Sequence, residues 1–254
     1  MPSTPETIRR LDQLLFTRGF CTSREQAKRL IMAGRVRHFG QVARKPSDPA
    51  DIDDEVELVE GEKYVSRGGY KLEHALKHFH IDVSGVTAID FGASTGGFTD
   101  CLLQCGAQTV FAVDVGKGQL AWTLRNDRRV VVMEKTNARF LSPSKMPKVY
   151  HTADITTIDC SFISLRKVLP AATSLVRKGG SIIALVKPQF EAGKKEADKG
   201  SGVIRDPVVH EQVLDELKAF VSNQSNLVWL DVTRSPLKGP AGNIEFLTLI
   251  EKSS

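Results

Sequence analysis

The sequence has little of what marks secreted, metal-bound or membrane-spanning proteins. Four cysteines and six histidines occur in 254 residues, and the cysteines are too scattered to predict a disulfide framework or a zinc site. No apolar run approaches the roughly 18 residues that span a bilayer. No apolar stretch follows the charges of the first ten residues, as a secretory signal requires. These absences predict a cytoplasmic protein with reduced thiols, without a bound metal and without a membrane partner.

Length and composition favour a globular protein of two unequal domains. A chain of 254 residues is longer than one typical domain and can bury a sizeable core. Its content of 41% hydrophobic and 26% charged residues is ordinary for folded proteins. We place the domains at residues 1–60 and 67–254, with an interdomain linker over residues 61–66.

Positive charge is concentrated near the N-terminus. Residues 1–47 contain ten lysines and arginines against three acids, whereas residues 48–60 contain seven acids and no base. A basic segment followed by an acidic one indicates a separate module with one surface that faces a polyanion. The alternative is a charged face that only contacts solvent.

Residues 1–60 are predicted to form two short helices and a small sheet. An apolar stripe in RLDQLLFTRGF predicts a first helix that ends at the glycine. Ser23, followed three residues later by Gln26, is a capping-box pattern for a second helix, which Gly34 ends. Short strands are predicted in RVRHFGQVARKPSD and DEVELV.

The basic residues of this N-terminal module suit phosphate contacts on folded RNA. The stretch RLDQLLFTRGFCTSREQAKRLIMAGRVRHFGQVARKPSD resembles the RNA-binding module first described in ribosomal protein S-four. It shares the arginine-leucine-aspartate start, the serine-arginine opening of the second helix and the glycine that ends it. The residues expected to contact RNA are Arg9, Arg10, Arg24, Lys28, Arg29 and Arg35.

Residues 67–254 alternate apolar strand candidates with helix-like stretches. This alternation predicts an α/β fold with a doubly wound, Rossmann-like sheet. The last two candidates follow each other without a helix between them, which favours an antiparallel pair at the edge of the sheet. The candidates are VTAIDFG, TVFAVDVG, VVVMEK, ITTIDCSF, SIIALVKPQF, LVWLDVTRS and IEFLTLI.

A glycine-rich loop, DFGASTGGFTD, follows the first of these strands. Glycines between a strand and a helix allow backbone N–H groups to approach a ligand closely. A dinucleotide fingerprint needs glycine at the third place of G-x-G-x-x-G, where Ser94 stands. A phosphate-binding P-loop needs G-K-S/T, which this loop lacks. The loop therefore favours a ligand without a diphosphate.

A carboxylate at the end of the second strand suits a nucleoside. Asp114 stands 22 residues after Gly92, and an acid about 20 residues beyond the glycine loop binds ribose hydroxyls in nucleotide-binding α/β folds. A nucleoside without a diphosphate at a glycine loop indicates S-adenosylmethionine, and hence a methyltransferase.

Lys187 follows a buried strand, SIIALV, where a lysine loses hydration and needs compensation. Asp159, Ser161 and Glu245 also fall at strand ends, where open α/β sheets place their sites, and Lys71 lies shortly before the first strand. Any one of them has an alternative explanation as a structural ion pair. Together they offer two ammoniums and two carboxylates beside a methyl donor. A lysine amine accepts the proton of a ribose hydroxyl once burial beside a second positive charge favours its neutral form.

The motifs of the C-terminal part are similar to those of one known family. YVSRGGYKL, DFGASTGGFTD, DCSFISL, VKPQFEAGK, GVIRDPVVH and SPLKGPAGNIEFL occur in the order found in haemolysin-A-type (TlyA) ribosomal RNA 2′-O-methyltransferases, whose catalytic domain is related to FtsJ. The resemblance implies methylation of cytidine ribose in small- and large-subunit ribosomal RNA, with S-adenosylmethionine as donor.

Where the family's motifs match this sequence, its functional residues can be assigned to positions in this chain. Its lysine-aspartate-lysine-glutamate tetrad falls on Lys71, Asp159, Lys187 and Glu245. The resemblance implies that Lys187 activates the ribose hydroxyl, while the other three position it and the target. The implied donor-binding residues are Asp90, Gly92, Ala93, Ser94, Gly96, Gly97, Asp114 and Asn137.

Three other functions compete with this interpretation. The family name suggests a membrane-lysing toxin, but the missing signal and spanning segment argue against it. A noncatalytic RNA-binding or ribosome-assembly protein that keeps the fold would not need paired lysines and carboxylates. Methylation of a base or a protein is the third, and the N/D-P-P-Y/F motif of many base-nitrogen enzymes is absent from DCSF.

Overall fold

The computed structural model describes most of the chain, namely residues 10–59, 61–193, 200 and 202–253. The chain divides between Glu62 and Lys63 into two compact units. This division falls inside the linker predicted over residues 61–66. The last part of that stretch, residues 63–66, belongs to the second unit, where Tyr64 is buried.

The first unit contains two helices and three short strands. They are α1 (Leu11–Thr17), α2 (Arg24–Met32), β1 (Val36–His38), β2 (Gln41–Val42) and β3 (Val56–Leu58). The strands form an antiparallel sheet in the order β2-β1-β3. The helix α2 begins where the capping pattern predicted, because the Ser23 hydroxyl accepts the N–H of Gln26. Apolar side chains of both helices pack with those of the strands, among them Leu14, Ile31 and Val36.

The second unit is built on a seven-stranded sheet. Its strands are β4 (Thr87–Phe91), β5 (Thr109–Val113), β6 (Val130–Met133), β7 (Ala153–Ile158), β8 (Val176–Val186), β9 (Leu227–Arg234) and β10 (Phe246–Lys252). They lie in the order β6-β5-β4-β7-β8-β10-β9, parallel from β6 to β8. The prediction of an α/β fold is confirmed. The last two strands are antiparallel as predicted, but β10 lies inside the sheet because it also pairs with β8.

Helices cover both faces of this sheet. They are α3 (Gly68–His78), α4 (Gly97–Gln104), α5 (Trp122–Arg125), α6 (Leu165–Leu175), α7 (Pro188–Glu191) and α8 (Pro207–Ser222). Apolar side chains of α3 and α4 pack on one face, and those of α6 and α8 on the other. Neighbours such as Ile182 and Ile183 fall in different cores, as the two-residue period of a strand requires. Within the described part of the chain, no helix is long and apolar enough to cross a membrane.

The strand order reverses between β4 and β7. The chain runs outward from β4 through β5 to β6, then returns to β7 and continues to β8 on the other side. Open α/β sheets bind ligands at the carboxyl ends of the strands where such a reversal occurs. The glycine loop after β4 and Asp159 after β7 meet at this point.

Candidate active site

Two adjoining cavities open at the strand reversal. The lysine cavity, of about 490 Å³, is lined by Lys71 and Lys187 together with Ala93 and Gly97 of the glycine loop. The Asp114 cavity, of about 540 Å³, is lined by Asp114 and by the segment after β6. Four residues line both cavities: Gly92, Ser94, Asp159 and Ser161. Cavities of this size hold small-molecule ligands.

Four charged side chains from distant parts of the sequence meet in the lysine cavity. Lys71 Nζ lies 2.5 Å from Glu245 Oε2, and Lys187 Nζ lies 2.6 Å from Asp159 Oδ1. The side chains of Lys71 and Lys187 are 10% and 9% exposed, and that of Glu245 is 1% exposed. Each ammonium therefore has a carboxylate at contact distance, which compensates for its lost hydration.

The sheet places Lys187 beside Glu245. Lys187 directly follows β8, and Pro188, with its fixed φ, begins α7. The antiparallel register pairs Val186 of β8 with Phe246 of β10. The next residue on each strand, Lys187 and Glu245, therefore lies beside the other at the end of the paired strands.

Asp159 is fixed against the glycine loop. Its backbone N–H donates to the carbonyl of Phe91 at 2.8 Å. A β-carbon placed on Gly92 would lie 2.6 Å from the carbonyl oxygen of Asp159, which is closer than real side chains approach. Gly92 also has a φ of +83°, in the left-handed region that favours glycine. The loop and Asp159 can meet this closely only with glycine at position 92.

Asp114 follows β5 and places its carboxylate beside the glycine loop. Its two oxygens accept the N–H groups of Ser94 at 2.8 Å and Gly116 at 2.7 Å. Asn137 lines the same cavity, and its side-chain oxygen accepts the N–H of Arg139 at the start of a short 3₁₀ turn. A carboxylate has about four lone-pair positions, so Asp114 retains acceptor capacity for a ligand.

Two of the predicted donor-site residues, Asp90 and Gly96, line neither cavity. Asp90 is fully buried, and its carboxylate accepts the hydroxyls of Thr99 at 2.7 Å and Thr157 at 3.0 Å. Burial raises the pKa of Asp90 to about 6. Gly96, with a φ of +103°, is buried at the start of α4. Both residues are buried within the loop structure, whereas their neighbours in the loop line the cavities.

Three of the basic candidates of the first unit, Arg10, Arg24 and Lys28, are paired with acids. Asp12 is fully buried and accepts from Arg10 Nε at 2.9 Å and from Arg24 Nη2 at 3.1 Å. Burial acts to raise the pKa of Asp12, but the hydrogen bonds from both arginines outweigh it and hold the pKa below its usual value. Lys28 pairs with Glu25 at 2.6 Å. Asp12 therefore aligns two partly exposed guanidiniums that come from separate parts of the unit.

The remaining RNA candidates are spread over the same unit. Arg29 and Arg35 are exposed, and Arg35 Nε donates to the carbonyl of Val59 at 3.4 Å. Arg9 lies outside the described residues. Sequence reasoning did not single out Asp12, although the arginine-leucine-aspartate start of the motif contains it.

A second group of contacts near Lys187 was not predicted from the sequence. Lys187 Nζ donates to Ser161 Oγ at 2.8 Å. Glu191 of α7 accepts the hydroxyl of Ser164 at 2.7 Å and the N–H of Leu165 at 2.6 Å, at the start of α6. Ser161 is one of the strand-end candidates and Glu191 lies within the motif VKPQFEAGK, but neither signal indicates these contacts.

The fold, with its two cavities at the strand reversal, is that of a methyltransferase of the α/β class. Residues 64–252 match the FtsJ-like methyltransferase family, and residues 9–56 match the S4 domain. The chain belongs to the FtsJ-like methyltransferase family and carries an S4 domain before the catalytic part.

Similar proteins cover nearly the whole chain. A Bacillus subtilis protein provisionally named rRNA methyltransferase YqxC is 49% identical over 94% of this chain and 84% of its own length. The 16S/23S rRNA (cytidine-2′-O)-methyltransferase TlyA of Mycobacterium tuberculosis is 45% identical over 93% of this chain and 87% of its own. A solved structure from Streptococcus thermophilus, provisionally described as a hemolysin, is 44% identical, covers 98% of this chain and 90% of its own, and superposes with a TM-score of 0.73.

Proposed function

We propose that this protein methylates the ribose 2′-hydroxyl of cytidine in ribosomal RNA, with S-adenosylmethionine as the methyl donor. The observation that carries the proposal is the pairing of two buried lysines with two carboxylates beside a cavity of small-molecule size. Binding alone does not require three buried charges and a partly buried carboxylate at one point, because each loses hydration there. A relative 45% identical to this chain is named for this reaction.

The Asp114 cavity suits the donor. The carboxylate of Asp114 would bind the ribose hydroxyls, and Asn137 would lie near the adenine ring. The absence of a side chain at Gly92 allows the ligand to approach the loop backbone closely. When bound, S-adenosylmethionine would supply an electrophilic methyl group. The sulfonium sulfur that carries this methyl group would become a neutral thioether on transfer.

Lys187 is the proposed base. The ribose hydroxyl has to lose its proton as its oxygen takes the methyl group, and the neutral amine of Lys187 accepts that proton. The ammonium that forms is stabilised by Asp159, whose Oδ1 lies 2.6 Å from Nζ. Lys71, held by Glu245, keeps a positive charge in the same cavity and would bind an oxygen of the target nucleotide.

The first unit would hold the ribosomal RNA. Arg10 and Arg24 present partly exposed guanidiniums, and Arg29 and Arg35 are exposed. Contacts of this kind to phosphates position a nucleic acid without selecting its sequence. We assign RNA binding to residues 1–60 and catalysis to residues 67–254.

The test is transfer of labelled methyl from S-adenosylmethionine to isolated ribosomal subunits and intact ribosomes. We expect 2′-O-methylcytidine with the wild type, and a rate lower by about 100-fold or more with Lys187→Ala. The subunit that accepts the label identifies the RNA. Lys178→Ala is the matched control, because Lys178 is an exposed lysine near the other end of β8 and its removal should leave the rate unchanged.

The proposal fails if the folded protein binds S-adenosylmethionine but methylates no ribosomal substrate. A noncatalytic RNA-binding role would then replace it. Methyl transfer at the wild-type rate by Lys187→Ala would reject Lys187 as the base while leaving the reaction itself in place.

A further inference from the structure

The ammonium of Lys187 contacts a hydroxyl as well as a carboxylate. Nζ lies 2.6 Å from Asp159 Oδ1 and 2.8 Å from Ser161 Oγ. Ser161 is exposed at the junction of the two cavities and lines both of them. Its hydroxyl therefore lies where the donor and the target nucleotide would come together.

The segments that carry Ser161 and Lys187 are tied together at a second point. Glu191, four residues after Lys187, accepts the Ser164 hydroxyl at 2.7 Å and the Leu165 N–H at 2.6 Å. Glu191 and Lys187 also line one small internal cavity with apolar residues of β7 and α6. The contact between Ser161 and Lys187 is thus fixed by the surrounding structure, which lowers the entropy cost of keeping it.

The hydrogen bond from Lys187 to Ser161 affects proton transfer, because the acceptors of the amine N–H groups decide where the amine lone pair lies. A neutral lysine amine has two N–H donors and one lone pair in a tetrahedral arrangement. If Asp159 and Ser161 accept the two N–H groups, the lone pair is confined to the one remaining position on an amine that lines the lysine cavity. With Asp159 as the single acceptor, rotation about the Cε–Nζ bond would leave the lone pair in either of two positions.

We infer that Ser161 is a positioning residue for methyl transfer: its hydroxyl accepts one N–H of Lys187 and so directs the amine lone pair toward the ribose hydroxyl. The inference rests on the proposed function, since it requires Lys187 to act as the base. Ser161 takes no proton and forms no bond to a substrate in this role.

The test compares Ser161→Ala and Ser161→Thr in steady-state methyl transfer to ribosomal subunits, with the donor dissociation constant measured by calorimetry. We expect Ser161→Ala to lower kcat about threefold to tenfold, as loss of a hydrogen bond between neutral groups does. KM for the subunits and the donor dissociation constant should stay within about twofold, because the hydroxyl acts on Lys187. Ser161→Thr restores an acceptor at an exposed position and should recover most of kcat.

The matched control is Ser174→Ala, which removes a hydroxyl that bonds to the Ala171 carbonyl within α6. An unchanged kcat in Ser161→Ala would overturn the inference. A loss confined to KM or to donor affinity would also overturn it, because Ser161 would then bind a substrate directly. Lys187→Ala in the same assay separates the two proposals: if it keeps full activity, the assignment of the base fails, whatever Ser161 does.

Discussion

Gly92 and Asp159 approach so closely that a β-carbon on Gly92 would lie 2.6 Å from the Asp159 carbonyl oxygen. The contact joins the glycine loop after β4 to the carboxylate segment after β7. The glycine loop and the segment that carries Asp159 therefore cannot move independently, and the size of residue 92 sets their separation.

Gly92→Ala should lose both stability and donor affinity. We expect the clash to lower the free energy of unfolding by about 1–3 kcal/mol, in addition to the cost of a positive φ, and donor affinity to fall about tenfold or more. Denaturant unfolding and calorimetric titration measure the two effects. Gly85→Ala is the matched control, because Gly85 has a φ of +71° and no atom lies within 4 Å of the place that a β-carbon would take there. Equal losses in the two variants would show that backbone strain alone is responsible.

Glu245→Gln should leave the ammonium of Lys71 buried without a counter-charge. The loss of one partner of a buried pair costs about 3–5 kcal/mol, and we expect the free energy of unfolding to fall by an amount of that order. The double variant Lys71→Met with Glu245→Gln should regain stability but not activity. Glu25→Gln, at the exposed pair with Lys28, is the comparison and should change little. No stability difference between Glu245→Gln and Glu25→Gln would contradict the burial argument.

Asp12→Asn tests whether RNA binding by the first unit depends on the alignment of Arg10 and Arg24 or only on the net charge of the unit. Removal of a negative charge should strengthen RNA binding if net charge alone decides affinity. We expect weaker binding, by about threefold to tenfold, because the guanidiniums of Arg10 and Arg24 lose the carboxylate that aligns them. Filter binding to purified ribosomal RNA over a salt series measures this. Asp53→Asn removes an exposed acid of the same unit and should leave binding unchanged or tighter, so tighter binding by both variants would reject alignment.

Asp90 should make stability depend on pH between its unfolded and folded pKa values. Burial, with a further contribution from the charge of Asp159, raises its pKa to about 6, against about 3.9 in an unfolded chain. The folded state stays protonated to a higher pH than the unfolded state does, so Asp90 lowers the free energy of unfolding as pH rises between the two pKa values. The free energy of unfolding of Asp90→Asn, minus that of the wild type, should therefore increase by about 2 kcal/mol from about pH 4 to pH 7. A difference that is constant with pH would mean that Asp90 titrates as an ordinary aspartate.

The strands and the glycine loop could be predicted because their signals are local. Apolar runs such as SIIALV fix buried strands, and the alternation of strands with helical stretches fixes the α/β class. The place of β10 could not be predicted, because the sequence shows that two strands lack a helix between them but not which strand each one pairs with.

The candidate site likewise has residues that the sequence indicates and contacts that it does not. Strand-end positions indicated Lys187 and Asp159, since the carboxyl ends of parallel strands share one edge, and Glu245 at the start of β10 reaches the same edge because β10 is antiparallel. The hydrogen bond from Lys187 to Ser161 and the burial of Asp90 depend on side-chain directions at those ends. Residue type and spacing do not specify such directions, so these contacts needed the structure.

The insertion of β10 between β8 and β9 has a consequence for biosynthesis. A nascent chain that has emerged only as far as β9 has every parallel strand but lacks the strand that joins β9 to the rest of the sheet. Glu245 directly precedes that strand, so the partner of Lys71 reaches its place only when β10 docks. We therefore expect a chain cut short before residue 246 to lack methyl-transfer activity.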